Sequence, residues 1–241
     1  MKCLHMRKVS IFFFLSVLGS SIFGFSACKK AQKEDINQTA YYAADNKKIM
    51  AQPVPANRVV FIGNSIVQDW YKAMPGFFDK NNFVNRGISE QLTSQIAGRL
   101  DCDVVDIKAK VVVIAGGIND IRAGREPYSE DSTFSNLTKI ATQAREKGVL
   151  PIMVSVLPCS RIPGKPEMTD VAEKIISLNK RVQAFAQSNG IAYVDYHSAL
   201  RDEKGGLLSE YTTDGIHITS EGYLTMSELV KIEIDSVLKV K

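Results

Sequence analysis

Two segments far apart in the chain carry residue types that together could perform nucleophilic chemistry. Ser65 lies in Gly63-Asn64-Ser65-Ile66, directly after an apolar run, and His217 follows Asp214 by three residues near the C-terminus. A serine hydroxyl is a poor nucleophile until a base takes its proton, and histidine titrates near neutral pH. A nearby acid orients the imidazole and stabilises its charged form. We therefore expect Ser65 as nucleophile, His217 as base and Asp214 as the orienting acid.

Two further segments stand at comparable places. Asn85-Arg86-Gly87-Ile88-Ser89 follows a second apolar run, and Gly116-Gly117-Ile118-Asn119-Asp120 follows a third. Taken singly, each of the four segments has an ordinary structural explanation. Gly, Asn and Ser are common turn formers. Gly87 could be required by the local backbone conformation, and Asn119 could cap a helix or hold a loop through its side chain. Their order along the chain is what favours a functional site.

Short apolar runs alternate with longer amphipathic stretches. The runs that indicate strands are residues 59–62, 83–84, 111–115, 152–156 and 191–194, and the stretches that indicate helices are residues 91–107, 131–147, 170–189 and 220–238. Runs rich in Val and Ile suit parallel strands buried on both faces, and the alternation predicts an α/β domain. We expect one doubly wound, flavodoxin-like domain with about five parallel strands and helices on both faces.

That architecture predicts where the chemistry lies. Ligands of such sheets bind outside the carboxyl ends of the strands, where loops carry the functional residues. Ser65, Gly87 and Asn119 each follow a predicted strand, and His217 precedes the last predicted helix. The other histidine of the folded body, His197, leads into a short turn, and we expect it to have a structural role.

In this order, the four segments resemble the signature blocks of the SGNH (GDSL-like) hydrolase family, whose name lists Ser, Gly, Asn and His. The resemblance runs over residues 59–223 and is most specific at residues 117–120 and 214–217. Other stretches are similar to bacterial acylhydrolases akin to platelet-activating-factor acetylhydrolase. The resemblance implies an oxyanion hole formed by the N–H groups of Ser65 and Gly87 and the amide of Asn119. It implies no metal and no organic cofactor.

Two positions depart from the family pattern. Asn64 stands where many members have Asp, and Ile218 stands where Pro often follows the histidine. Asn keeps an acceptor oxygen but lacks the charge. We expect this change to affect loop rigidity more than catalysis.

The resemblance implies hydrolysis of an ester through an acyl-enzyme. Together with an exported location, it favours a small O-acyl group, above all acetyl, on a carbohydrate or related surface polymer. One alternative is a lipase or lysophospholipase, which preference for acyl chain length would separate. Another is a non-catalytic surface protein that binds carbohydrate with the same fold, although the chain keeps every residue of the triad.

The N-terminus is typical of an export signal, because three basic residues precede an apolar run over residues 9–25. Its position at the start of the chain disfavours a membrane span. Phe25-Ser26-Ala27-Cys28 resembles a bacterial lipobox, with Phe25 where Leu is usual, which implies that Cys28 is lipidated. We expect a membrane-tethered exported lipoprotein with a signal peptide over residues 1–27, a polar tether over residues 28–55 and a hydrolase domain over residues 56–241.

The net charge and the cysteines of the chain disfavour nucleic-acid binding, a disulfide framework and a metal site. Three of the 30 basic residues lie in the predicted signal and none of the 26 acidic residues does, so the mature chain is nearly neutral. We therefore expect no nucleic-acid partner. Cys102 and Cys159 could pair in an oxidising compartment, but two cysteines are too few for a disulfide framework, and we expect two independent buried thiols. No Cys or His cluster has the spacing of metal ligands, and the sequence leaves the oligomeric state open.

Overall fold

The computed structural model describes residues 35–122 and 127–239. In them, one five-stranded parallel sheet has the order β2-β1-β3-β4-β5. The strands are β1 (Val59–Gly63), β2 (Phe83–Gly87), β3 (Val111–Ile114), β4 (Leu150–Val154) and β5 (Ala192–Val194). This is the flavodoxin-like doubly wound order. The prediction of one α/β domain with parallel strands is confirmed.

Helices connect the strands and cover the sheet. They are α1 (Ala43–Met50), α2 (Ser65–Ala73), α3 (Pro75–Asn81), α4 (Thr93–Ala97), α5 (Ile118–Arg122), α6 (Glu130–Glu146), α7 (Val171–Ser188), α8 (Tyr196–Leu200) and α9 (Ser220–Lys239). The predicted helices near α6, α7 and α9 are confirmed. The predicted helix over residues 91–107 is wrong as one continuous element: α4 ends at Ala97 with Gly98 as its cap, and a separate π-helical turn (Asp101–Val105) follows. Glycine is a weak helix former, and a Cβ at Gly98 would displace the Asn37 side chain that lies against it.

Both faces of the sheet are buried. Along β1, Val60 and Ile62 pack into the hydrophobic cluster that contains α6 and α7, whereas Val59 and Phe61 pack into the cluster that contains α2 and α9. Successive strand residues point to opposite faces, so a sheet covered on both sides needs apolar residues at every position. This explains why the strands are continuous apolar runs.

Trp70, the single tryptophan of the chain, joins α2 to α9. Its ring stacks on Tyr223 with ring centroids 5.5 Å apart, and its Nε1 donates to Ser227 Oγ at 3.1 Å. The Tyr223 hydroxyl donates to the Ile66 carbonyl at 2.8 Å. These contacts fix the helix that begins at the predicted nucleophile against the helix that follows the predicted base.

Part of the predicted polar tether packs on the sheet domain. Residues 35–50 include α1, and Asn46 of that helix is only 3% exposed. Its amide donates to Asp103 Oδ1 at 2.7 Å, so a segment that is polar by composition is nevertheless part of the folded body. The predicted signal peptide and Cys28 lie outside the described residues. Of the helices that the structure describes, none is both long and apolar enough to cross a bilayer.

Candidate active site

Ser65 is the first residue of α2, directly beyond the end of β1. Asn64 caps this helix: its Oδ1 accepts the Ile66 N–H at 3.1 Å. The first N–H groups of a helix have no partner within it, so the Ser65 N–H is available to an anion. The cap needs only an acceptor oxygen, which Asn64 supplies where many family members have Asp.

Asp214 and His217 form a close pair in the loop before α9. His217 Nδ1 lies 2.6 Å from Asp214 Oδ2, and Asp214 Oδ1 accepts the N–H groups of Ile216 and His217 at 2.9 and 2.8 Å. Burial opposes ionisation of the carboxyl, but the hydrogen bonds from the His217 ring and from the two N–H groups outweigh it and lower the pKa of Asp214 to about 2. This arrangement turns Nδ1 toward the acid and leaves Nε2 for a proton transfer.

Sequence neighbours of both halves of the predicted triad line one apolar recess. Asn64 and Ile66, on either side of Ser65, line it together with Ile216, which precedes His217. Among the hydrogen bonds of the described residues, none joins Ser65 Oγ to His217. Such bonds are often long in free enzymes and tighten when substrate binds.

The recess extends between the sheet and α2. Its free volume is about 30 Å³, on the order of one water-sized group. The lining side chains are almost all apolar, among them Ala115, Ile118, Leu157 and Cys159. The space therefore suits a small apolar group next to the nucleophile.

The candidate oxyanion donors lie at three neighbouring strand ends. Gly87 pairs with Gly63 across β2 and β1, two residues before Ser65, and Asn119 follows β3 at the start of α5. A Cβ on Gly87 would lie 2.1 Å from the Gln68 N atom, so only glycine allows this close approach of strand and helix. The structure thus brings together the three positions that the sequence singled out.

Two of these donors already have partners. The Gly87 N–H donates to Asn85 Oδ1 at 3.0 Å, and Asn119 Nδ2 donates to the Gln91 carbonyl at 3.0 Å. A side-chain amide has two N–H donors, so Asn119 keeps one for a ligand. The Gly87 N–H would have to share or leave its bond with Asn85. Loop tying and oxyanion binding are therefore compatible at Asn119.

His197 stands in a different environment. It is buried at the start of α8, and its backbone N–H donates to Ser155 Oγ at 2.8 Å. Burial lowers the pKa of the ring, and its Nε2 has no hydrogen-bond partner within the part of the chain that the structure describes.

Sequence reasoning missed Arg99, whose side chain is fully buried. Its guanidinium donates to the carbonyls of Gly63 and Arg86 at 3.3 and 3.0 Å and to Gln91 Oε1 at 2.9 Å, and it also forms an ion pair with Asp103. Arg99 therefore holds the backbone before Ser65 and Gly87, and it reaches Asn119 only through Gln91, whose carbonyl accepts the Asn119 amide. No local signal in the sequence could have identified it, because an arginine and an aspartate four residues apart are typical of a solvated helix face.

Cys102 and Cys159 are both free thiols, the first half-buried and the second buried against the recess. Burial raises the pKa of both thiols, that of Cys102 to about 11. Across residues 35–122 and 127–239, no three His, Cys, Asp or Glu side chains are arranged to hold a metal ion.

Several solved structures are similar to this chain. A GDSL-like lipase from Bacteroides thetaiotaomicron is 37% identical, with a TM-score of 0.79 over 84% of this chain and 99% of that one. A protein from Streptococcus pneumonia, described as a proposed platelet activating factor, is 25% identical, with a TM-score of 0.66 over 81% and 92%. An acetylxylan esterase from Geobacillus stearothermophilus is 17% identical, with a TM-score of 0.62 over 74% and 94%, and shares the fold.

No curated protein matches the chain. The profile of the GDSL-like Lipase/Acylhydrolase family matches residues 61–224. This match covers more than half of the chain and includes all four segments described above. The chain belongs to the GDSL-like lipase/acylhydrolase family.

Proposed function

We propose that this protein is a serine esterase that removes small O-acyl groups, above all acetyl, from a carbohydrate or related substrate through an acyl-enzyme. The observation that carries the proposal is the oriented Asp214–His217 pair, whose neighbour Ile216 lines the same small recess as the two residues that flank Ser65. Nucleophilic acyl transfer requires an oriented imidazole and a serine that its free nitrogen can reach, and we propose that His217 and Ser65 supply them.

The proposed reaction has two halves. Ser65 Oγ attacks the ester carbonyl while His217 Nε2 takes its proton, and His217 then protonates the leaving alcohol. Water, activated by the same imidazole, releases the acid and restores Ser65. Asp214 stays ionised throughout and stabilises the imidazolium.

Negative charge develops on the carbonyl oxygen in both halves. We assign its stabilisation to the N–H groups of Ser65 and Gly87 and to the second N–H of Asn119. Removal of one such donor typically costs about 3 to 4 kcal/mol of transition-state stabilisation. No metal or organic cofactor has a part in this scheme.

The size of the recess supports a short acyl group. A free volume of about 30 Å³ accepts a methyl group, whereas a long acyl chain would have to lie outside it. The acetylxylan esterase that shares this fold is named for the removal of acetyl groups from a polysaccharide. An exported, lipid-anchored enzyme would meet such substrates at the cell surface, and this location is part of the proposal.

The test is a series of aryl esters from acetate to octanoate, with acetylated oligosaccharides as second substrates. We expect kcat/KM to be highest for acetate and to fall as the chain lengthens. Ser65→Ala should lose turnover while its circular dichroism spectrum is unchanged, and residual activity above about a tenth of wild type would remove Ser65 from the role of nucleophile.

The same series separates the other candidate functions. A preference for long acyl chains would favour a lipase or lysophospholipase, as the name of the Bacteroides relative indicates. Binding of oligosaccharide without turnover of any ester would favour a non-catalytic carbohydrate-binding protein. Either result would overturn the proposed activity.

A further inference from the structure

Residues 35–50, which we call the N-terminal clamp, contact residues 86–91, the end of β2 and the loop after it, which we call the oxyanion loop. The clamp lies outside the residues matched by the family profile. The Tyr42 hydroxyl donates to the Gly87 carbonyl at 2.5 Å. Burial raises the pKa of Tyr42 to about 12, so the hydroxyl is a protonated donor at any neutral pH.

A second contact reaches Asn119 through Gln91. Gln91 is 1% exposed, and its Nε2 donates to the Asn37 carbonyl at 3.0 Å and to Gln38 Oε1 at 2.9 Å. The carbonyl of the same residue accepts the Asn119 amide. The clamp therefore holds the residue that holds Asn119.

A third contact neutralises Arg86, which directly precedes Gly87. The Arg86 side chain is 3% exposed, pairs with Asp45 at 2.7 Å and donates twice to Asn46 Oδ1, at 2.9 and 2.7 Å. Its guanidinium also lies 4.5 Å from the centre of the Tyr42 ring. A buried arginine without partners is costly, so the clamp is what allows this side chain to remain inside.

These contacts fix the peptide groups on both sides of Gly87. The peptide that carries the Gly87 N–H is held at its Arg86 carbonyl by Arg99, and the next peptide is held at its Gly87 carbonyl by Tyr42. Donors aimed at a developing charge are effective only when they are already in place, because the free energy of reorienting them would offset the stabilisation of the transition state.

We propose that the N-terminal clamp is a positioning element of the active site, which keeps Gly87 and Asn119 aligned for the oxyanion. This inference rests on the proposed esterase function. In this scheme Tyr42 and Gln91 are positioning residues, since they act on the oxyanion donors through the loop and not on the substrate.

The test is Tyr42→Phe in the full chain, which removes one hydroxyl and keeps the ring over Arg86. The matched control is Tyr71→Phe, an exposed tyrosine whose hydroxyl donates to Asp79 Oδ1 at 3.2 Å and not to the oxyanion loop. We expect kcat for an aryl acetate to fall about 10-fold with KM changed less than about 2-fold, because small displacements of catalytic groups slow the chemical step. The control should behave as wild type.

Hydrogen exchange gives a readout that does not depend on activity. In Tyr42→Phe, amides of residues 86–91 should exchange faster than in wild type, while those of the sheet interior remain unchanged. Unchanged exchange in that loop, or parallel changes of kcat and KM, would overturn the positioning role. An inactive wild type would overturn the esterase proposal, and the exchange result would still decide whether the clamp holds the loop.

Discussion

His217 Nδ1 lies 2.6 Å from Asp214 Oδ2, and the same carboxylate also accepts the backbone N–H of His217 through its other oxygen. One acid therefore fixes both the ring and the main chain of the proposed base. A separation of three residues is sufficient for this contact, because the Asp214 carboxylate closes a turn around His217 and also orients its ring.

Asp214→Asn tests this double role. The pKa of about 2 means that Asp214 loses its charge only when the pH falls far below the range of an ester assay. The acid side of the wild-type kcat/KM profile should therefore follow a single proton, and the variant should lose roughly 10²- to 10⁴-fold in kcat because an amide stabilises the wrong tautomer. Uptake of two protons between neutral pH and about pH 4 would contradict the assignment.

The two histidines of the folded body provide a matched pair of variants. His217→Ala should lower kcat about 10³-fold or more, because no other group takes the serine proton. His197→Ala should lower the melting temperature and leave kcat within a small factor, because it removes a buried ring that packs at the start of α8. Steady-state kinetics beside thermal melts decide the matter, and equal catalytic losses would refute this division of roles.

Asn119→Ala should affect both catalysis and stability. Loss of the oxyanion donor predicts a fall of about 10²- to 10³-fold in kcat with little change in KM. Loss of the bond to the Gln91 carbonyl predicts a lower melting temperature as well. A destabilised variant with near-normal kcat would leave Asn119 with the loop-tying role alone.

The anchor is tested by metabolic labelling with a fatty acid. The wild-type protein should incorporate label and Cys28→Ser should not, because the thiol is the acceptor in the proposed modification. Cys102→Ser serves as the control for labelling at another thiol. An unlabelled wild type would make the protein an exported enzyme without a lipid anchor.

The strands were predictable because a sheet covered on both faces leaves a local mark, a continuous apolar run. β1 and β3 coincide with their predicted runs to within one residue at each end. The site positions were predictable for a related reason, since each follows such a run. The order of the strands is the one further fact that places Ser65, Gly87 and Asn119 near one another.

The support of the site was not predictable in the same way. Arg99 and Gln91 act through partners that are distant in the sequence, and nothing in the local pattern distinguishes a buried arginine from a solvated one. The clamp falls within the predicted tether because its residues are polar. Polar groups of the clamp form hydrogen bonds with Arg86 and with the rest of the oxyanion loop. These partners come together only in the folded chain.

Trp70 is the only tryptophan of the chain and lines the recess beside Ser65. Its fluorescence therefore reports on one place, the contact between α2 and α9 that fixes the helix of the proposed nucleophile against the helix that follows the proposed base. We expect the fluorescence of this indole to change both when a ligand occupies the recess and when the contact between α2 and α9 loosens. Titration with a non-hydrolysable acetyl analogue can be followed without any label, in Ser65→Ala as well as in the wild-type protein.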